Sequence, residues 1–455
     1  MSQRPLAVVV LAAGKGTRTK LDLPKVLLPL CGAPLLEHVL DTAAALQPDE
    51  LVVVLHHGMH EIAERLDQRF EELQALIVDQ GEPLGTGHAM QRAMEELDRK
   101  HGQQWDGDIL VLYGDAPLIR EETLRALVEV LGDEALGAEA GELPEALAGK
   151  RGAASLLSCD AVPVHGLGRV LRDEEGFFVG IREQKDCSEE ELEIDEINTG
   201  FCCFTSAALR QTLPELSNAN KQGEYYLTDC FGLLVEKGEL VVPVMTDDGE
   251  QVQGINDLGQ LAAVRDSLQE RIHLDLLAKG VLIEDPATTV IERGVEIGRG
   301  TTVFPFTVIH SGVVIGENCE VGPFSHLRVG AVLEDRAEVG NFVEMKKSVL
   351  GQGSKAKHLT YLGNAEIGKK VNVGAGTITA NYDGKHKHLT EIADGAFIGS
   401  GTVIVAPAKI GKKALTGAGA LVKRGSDVPE GQVVVGVPAR PLVKKNEDAS
   451  AKEEA

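Results

Sequence analysis

Two patterns of apolar positions divide this chain. From Ile291 to about Val422 the period is six: Ile291, Ile297, Val303, Ile309, Ile315, Val321, Leu327, Leu333, Val339 and Met345 follow one another at that spacing. The pattern resumes at Ile367 and Val373, breaks, and restarts at Ile392, Ile398, Ile404 and Ile410. Glycine often stands next, as at Gly298, Gly316, Gly340, Gly374 and Gly399. A six-residue aliphatic period fits neither an amphipathic helix nor a hairpin. It fits a β-solenoid, in which short strands turn corners and stack coil on coil, each aliphatic side chain filling a core layer. A rod of this kind leaves faces unburied and predicts oligomerisation. The N-terminal half reads differently. Leu6–Leu11 is a continuous apolar run, as in a parallel strand covered on both faces. Further strand-like runs at Leu51–Leu55, Leu76–Asp79, Ile109–Tyr113, Ala153–Ser158, Phe201–Phe204 and Leu240–Val244 alternate with helical patterns. That alternation predicts an α/β domain with a mostly parallel sheet. Leu261, Leu268, Ile272 and Leu276, closed by Gly280, predict a helical arm between the halves.

Length and charge narrow the picture. The 455 residues suffice for two or three domains. Lys and Arg total 45 against 70 Asp and Glu, a net charge of -25, which excludes a protein organised around non-specific nucleic-acid binding. Seven scattered cysteines without a CxxC pair point to reduced thiols in a cytoplasmic protein. No signal-peptide pattern precedes Leu6, and no apolar run is long enough for membrane insertion. The biased stretch 132–150 reads as a surface insertion, and the charged tail 444–455 as disordered.

Candidate chemistry begins straight after the first strand. In Ala12-Ala13-Gly14-Lys15-Gly16-Thr17-Arg18 a glycine-rich turn offers backbone N–H groups to phosphate, with Lys15 and Arg18 adding charge. It lacks the terminal Gly-Lys-Ser/Thr of a Walker loop and is not GxGxxG. Downstream, Leu23-Pro24-Lys25-Val26-Leu27 places a lysine where it can reach back to the same phosphates. Together these segments resemble the sugar-1-phosphate nucleotidyltransferases, which usually carry Met where this chain has Thr19.

Ligands of parallel sheets sit at the carboxyl ends of strands. Gln80 and Gly85-Thr86-Gly87 follow one such strand and offer close approach to a base or phosphate; Thr86 also reads as a helix N-cap. Tyr113-Gly114-Asp115 ends another strand, and its carboxylate suits a hard cation that bridges phosphates. The resemblance implies that Asp115 and Asn256 hold Mg²⁺. It places Leu11, Ala12, Ala13, Gly14, Lys15, Lys25, Gln80, Gly85, Thr86, Tyr113 and Gly114 around the nucleotide. Gly168, Glu183 and Asn198 fall around the sugar, and Lys25 and Arg18 act on the reacting phosphates. The segment from Gly223 to Asp229 also matches the family and receives no chemical role.

In the solenoid, Arg328 and Lys346 are 18 residues apart, which with three six-residue faces per coil stacks them as a phosphate site. His358, in His-Leu-Thr-Tyr-Leu-Gly, is a candidate general base. The period breaks at Thr379–His388, where a polar loop leaves the regular wall.

These segments, with Asn-Phe-Val-Glu-Met-Lys-Lys and Asn-Val-Gly-Ala-Gly-Thr-Ile-Thr-Ala-Asn-Tyr-Asp-Gly, resemble the bifunctional bacterial N-acetylglucosamine-1-phosphate uridyltransferase / glucosamine-1-phosphate acetyltransferases over residues 5 to 425. The implied fold class is α/β: an N-terminal Rossmann-like nucleotidyltransferase domain with a mostly parallel sheet, then a C-terminal left-handed parallel β-helix of hexapeptide repeats. The implied domains are 1–256 for uridyl transfer, 257–280 as helical linker and 281–443 for acetyl transfer. His358 becomes the base; Arg328, Lys346, Tyr361, Asn372 and Lys387 hold the amino-sugar phosphate; Ala375, Asn381, Tyr382, Ser400 and Ala418 line the acetyl-CoA site. The implied small-molecule partners are glucosamine-1-phosphate, N-acetylglucosamine-1-phosphate, UTP and acetyl-CoA, with Mg²⁺ as cofactor. The implied assembly is a homotrimer sharing each acetyltransferase site between solenoids. One position departs from the family: Gly436 stands where members carry an arginine that reaches the CoA phosphates, leaving Arg440, Lys423 and Arg424 as substitutes. A rival reading keeps only nucleotidyl transfer and lets the solenoid oligomerise or bind an effector. The constellation of His358 and Asn381–Lys387 speaks against it, since a purely structural rod needs neither. A third reading, a non-catalytic sugar-nucleotide sensor, conflicts with intact Arg18, Lys25 and Asp115.

Overall fold

A computed structural model describes residues 4–14, 16–132, 150–160 and 166–442. Lys15, most of the 132–150 insertion and the 444–455 tail therefore lie outside the described residues. The chain divides into two compact units between Arg265 and Asp266. The helix expected as an arm spans Leu258–Ala278 and runs through that division. It ends at Gly280, where Val281 N–H returns to Leu276 O at 3.1 Å.

In the first unit the sheet, among the described residues, is ordered Leu240–Thr246, Gly152–Cys159, Ile197–Thr205, Asp108–Tyr113, Leu6–Leu11, Glu50–Leu55, Leu76–Asp79. All neighbours are parallel except Ile197–Thr205, which runs antiparallel to both strands beside it. The continuous apolar runs follow from this placement. Val9, Val52 and Val54 pack into one core with Met90 and Leu97 of the helix Thr86–His101. Val8, Val10 and Val53 pack into another with Leu36 and Leu40 of the helix Leu35–Ala45. Alternate residues of each strand point to opposite faces, so both faces must be apolar. The hairpin Arg169–Arg172 and Phe178–Arg182 joins the sheet through Arg169 opposite Ile197.

The second unit is a three-faced solenoid of strands two or three residues long, except Glu338–Lys346 and Lys355–Gly363, which run nine residues each. Thr302–Val303 pairs in parallel with Glu320–Val321 on one face, Val308–Ile309 with His326–Leu327 on the next, and Val314–Ile315 with Val332–Leu333 on the third. Every aliphatic position of the six-residue series lies in a single buried core, each contributing about 1.5–3 kcal/mol by burial. The apparent gap after Met345 is filled by Leu350, Ala356 and Leu362, all buried. Successive coils are offset by 18 residues at Glu320↔Glu338, by 17 at Glu338↔Lys355 and by 25 at Glu366↔Glu391. The shortened turns after Met345 and Leu362 and the loop 381–389 all fall at one corner, between the second and third faces. Buried hydroxyls tie other corners to the next coil, as Ser325 Oγ does to Gly340 O at 2.7 Å and Ser354 Oγ to Gly368 O at 2.7 Å.

Candidate active sites

The first site is built where two parallel strands end side by side. Leu11 lies opposite Tyr113, and Gly114 N–H donates to Leu11 O at 3.0 Å, so the loops beginning at Ala12 and Gly114 leave the sheet together. Thr19 shapes the first loop: it is buried, and its hydroxyl donates to Gly16 O at 3.0 Å. On the far side Ile255 N–H donates to Asp115 O at 2.9 Å, which fixes Asn256 beside the Asp115 carboxylate. Four of the expected residues then meet. Lys25 Nζ donates to Asp115 Oδ2 and lies 3.3 Å from Asn256 Oδ1, and Arg18 Nη2 donates to Asn256 Oδ1 at 2.7 Å.

The donor chemistry here suits a small hard cation. Asp115 and Asn256 present oxygens to one point, and a positive group, the Lys25 ammonium, already rests there. Among the described residues no three His, Cys, Asp or Glu side chains gather as a metal cage. Two oxygen ligands agree with an ion that takes its remaining ligands from phosphate and water.

The glycines of Gly85-Thr86-Gly87 serve close packing. Gly85 has φ +109°, and a Cβ there would stand 2.5 Å from Tyr225 O. Gly87 N–H donates to that same carbonyl at 2.8 Å. Gln80, buried, donates through Nε2 to Gly85 O at 3.0 Å. The expected N-cap at Thr86 is corrected: Gly85 occupies the cap position, and the Thr86 hydroxyl accepts from Leu227 N–H at 3.0 Å instead. The Gly223–Asp229 segment, without a role in the sequence, is thus the brace for this loop.

Gly168, Glu183 and Asn198 come together because the hairpin and the strand Ile197–Thr205 share an edge; Asn198 N–H donates to Gly168 O at 2.9 Å. Burial pushes the Glu183 carboxyl above its ordinary range, with Asp229, Asp186 and Glu224 adding to it; the Thr228 hydroxyl opposes the shift by donating to Oε1 at 3.0 Å. Burial also raises the Tyr113 phenol, which stays a neutral donor. Thr228 was missed as a functional residue, and only its place in the matching segment hinted at it. Removing its hydroxyl favours the neutral acid, so Thr228→Val moves the Glu183 titration further upward. The KM for the sugar phosphate is expected to begin rising at a higher pH than in the unmodified protein as pH falls, with kcat at high pH little changed. A pH series of initial rates checks this.

The second site lies on the solenoid. His326 pairs with Glu344 and Leu327 with Met345, and Arg328 N–H donates to Met345 O at 2.9 Å, so Arg328 stacks beside Lys346 as the spacing predicts. Arg328 Nη1 holds Glu344 Oε1 at 2.7 Å. Arg328 first, then Lys387, pushes the Lys346 ammonium below its ordinary value. Tyr361 pairs with Glu344 on that face. His358 pairs with Asn341, and its side chain is exposed.

Asn372 is not brought to this cluster within one chain. It pairs with Lys355 and Phe397 on the first face, whereas Arg328, Lys346 and Tyr361 follow the second. Ala375, Ser400 and Ala418 form one column at the corner before the second face, linked by Gly401 N–H to Ala375 O at 2.7 Å and Gly419 N–H to Ser400 O at 2.8 Å. Asn381 and Tyr382 begin the loop at the opposite edge of that face.

Gly436 continues the column of Ala375, Ser400 and Ala418, with a φ of +88° at which a side chain is strained. Of the substitute cations, Arg424 turns to the loop, with Nη2 3.0 Å from His388 Nε2 and 3.4 Å from Asp383 Oδ2. Arg440 is exposed on the terminal strand Arg440–Pro441.

The loop is clamped by Asn364, another residue without a signal in the sequence pattern. Its Oδ1 accepts from Asn381 Nδ2 at 2.6 Å at the loop entrance, and its carbonyl accepts from Thr390 N–H at 3.0 Å at the exit. Asp383 is held well below the usual carboxylate range by the His386 backbone N–H and by His388. Asn364→Ala removes the entrance bond and keeps the exit bond. It is expected to raise KM for the loop's ligand about tenfold, with kcat less affected, and Asn364→Asp is expected to recover most of the loss by keeping the acceptor oxygen.

Residues 8–179 match the family model of the MobA-like NTP transferase domain, and residues 294–329 match that of the bacterial transferase hexapeptide (six repeats). The chain is 40% identical over 454 residues to a bifunctional protein GlmU of Shouchella clausii, covering 92% of this chain and 94% of that protein. It is 41% identical to a bifunctional protein GlmU of Azotobacter vinelandii, covering 95% and 96%. A bifunctional protein GlmU of Synechococcus is 38% identical, covering 97% and 98%.

Proposed function

The chain belongs to the family of bifunctional GlmU proteins, and on that premise we propose how its two units divide the chemistry. The protein is a bifunctional transferase of UDP-N-acetylglucosamine synthesis: it moves acetyl from acetyl-CoA to glucosamine-1-phosphate, and uridyl from UTP to N-acetylglucosamine-1-phosphate. We assign uridyl transfer to residues 1–256 and acetyl transfer to 281–443, with 257–280 as linker. The observation that carries the first assignment is the meeting of Arg18, Lys25, Asp115 and Asn256 at the end of the first strand.

In that site Asp115 and Asn256 would hold Mg²⁺, which when bound supplies charge neutralisation between the phosphates. An oxygen of the sugar phosphate attacks the α-phosphorus of UTP in line, forming one P–O bond as the bond to the bridging oxygen breaks and pyrophosphate leaves. Lys15, Lys25 and Arg18 offset the charge that develops, the Ala12–Gly14 backbone and the Gly85–Thr86 loop hold the nucleotide, and Gly168, Glu183 and Asn198 orient the sugar. No protein nucleophile is required; position and electrostatics suffice.

In the solenoid the amine of glucosamine-1-phosphate attacks the thioester carbonyl while His358 takes its proton. The C–S bond breaks, and CoA leaves as the thiol once its thiolate takes the proton back from His358. Arg328, Lys346, Tyr361 and Lys387 hold the phosphate end, and backbone N–H groups meet the oxyanion. Asn372 on another face supports a homotrimer in which a neighbouring chain completes the site. Among the described residues no helix is long and apolar enough to cross a membrane. Family membership and the scattered cysteines without a CxxC pair support a cytoplasmic enzyme.

A thiol-release assay with acetyl-CoA and glucosamine-1-phosphate, without UTP, tests the two-site reading. CoA release that depends on the sugar phosphate is the expected result. Pyrophosphate formation from UTP with no such release would leave a single-activity nucleotidyltransferase.

A further inference from the structure

One polar cluster on the solenoid is used by neither reaction. His310 and His326 face each other on adjacent coils with their Nε2 atoms 2.8 Å apart and their rings tilted by 54°. Behind His310, Nδ1 lies 3.1 Å from Glu292 Oε1, and the other oxygen of that carboxylate accepts from Ser311 N–H at 2.8 Å. Glu292 is thereby fixed, and the Nδ1–H tautomer of His310 is the one it favours. The Nε2 lone pair of His310 is then directed at His326, whose Nε2–H fills the gap. On the other side His326 pairs in register with Glu344, whose carboxylate is held by Arg328 Nη1 at 2.7 Å.

We propose that His310 and His326 form a binding site for a divalent transition metal that imidazole favours, such as Zn²⁺, independent of Mg²⁺ at Asp115 and Asn256. The shared proton occupies the place the ion would take. Zn–N bonds of about 2.0–2.1 Å in tetrahedral geometry need the two nitrogens roughly 3.3 Å apart, so the pair must open by only about half an ångström. His326 accommodates the ion by carrying its proton on Nδ1 in place of Nε2; both rings stay neutral and no net proton is released. Glu292 on the remote nitrogen of His310 is the carboxylate partner that orients a metal-binding imidazole and raises its basicity. The described residues place no third His, Cys, Asp or Glu ligand there, so water completes the coordination and the ion is exchangeable. Soft or borderline ions with a preference for nitrogen are selected over Mg²⁺ and Ca²⁺, which prefer oxygen.

The test is a Zn²⁺ titration of the metal-stripped full-length protein in excess Mg²⁺, by calorimetry or a chromophoric chelator. Unmodified protein is expected to take one ion per chain at this site. His310→Gln and His326→Gln each weaken that binding at least tenfold, and Glu292→Gln weakens it about tenfold. Cu²⁺ electron paramagnetic resonance gives a readout that does not depend on affinity: coupling to two imidazole nitrogens in the unmodified protein and to one in either single variant. Uridyl transfer and the thermal transition check that the variants are folded. Zn²⁺ binding of unchanged affinity in the double variant, or none in the unmodified protein, overturns the proposal and leaves the pair a histidine–histidine hydrogen bond.

Discussion

His358→Ala is expected to lower the rate of CoA release by about 10²–10⁴-fold, the usual contribution of a general base, while pyrophosphate release from UTP stays within about twofold. The separation follows from the fold. His358 belongs to the solenoid, and every residue assigned to uridyl transfer belongs to the first unit. The histidine side chain is exposed, so its removal opens no cavity; its backbone position is kept by the ladder with Asn341 and by Thr360 Oγ1 on its carbonyl at 2.7 Å. The thermal transition should therefore be unmoved. If the loss is in the chemical step, kcat falls while KM for glucosamine-1-phosphate changes little, because Arg328, Lys346 and Lys387, proposed to hold the phosphate, are untouched. Unchanged CoA release would place the base elsewhere. Equal loss of both activities in a folded variant would contradict the division into two sites.

The six-residue period made the solenoid legible because each coil repeats one physical requirement, an inward aliphatic side chain on each face. It failed between Met345 and Ile367 because two corners are one residue shorter, so Leu350, Ala356 and Leu362 fall out of step while keeping their place in the core. The parallel strands of the first unit were legible as apolar runs covered on both faces. The hairpin Arg169–Arg172 and Phe178–Arg182 was not, since its strands are short and largely charged at their ends. The stacking of Arg328 on Lys346 could be computed from a spacing of 18, whereas that of Asn381 over Asn364 could not, because it depends on how the loop closes. Thr86 illustrates a different limit: a threonine before a helix satisfies the cap rule in sequence, yet its hydroxyl is engaged by Leu227 from a segment far along the chain.

Asp115→Ala is expected to reverse the outcome of the histidine substitution, with uridyl transfer falling at least 10²–10³-fold, the scale of losing one preorganised electrostatic contact in an active site, and acetyl transfer preserved. Asp115 is where three demands converge. Its carboxylate receives the Lys25 ammonium, its carbonyl receives Ile255 N–H at 2.9 Å, and it follows the strand Asp108–Tyr113 beside the turn that begins at Ala12. Truncation to alanine keeps the carbonyl bond and so leaves Asn256 near its place. It strips the negative charge that holds Lys25, whose side chain is 11% exposed and would then lean on Asn256 alone. Removing a hydrogen bond to a charged, partly buried group costs about 1.5–3 kcal/mol, a visible drop in the thermal transition of the first unit but not its unfolding. Asp115→Asn separates the two roles: it offers Lys25 an oxygen, restores most of the lost stability, and lacks the charge that a divalent ion needs. If the asparagine variant is folded like the unmodified protein, needs far more Mg²⁺ and remains slow, the carboxylate acts through charge at the reacting phosphates. If it transfers uridyl at the unmodified rate, Asp115 only positions Lys25, and the metal-binding assignment to Asp115 and Asn256 fails.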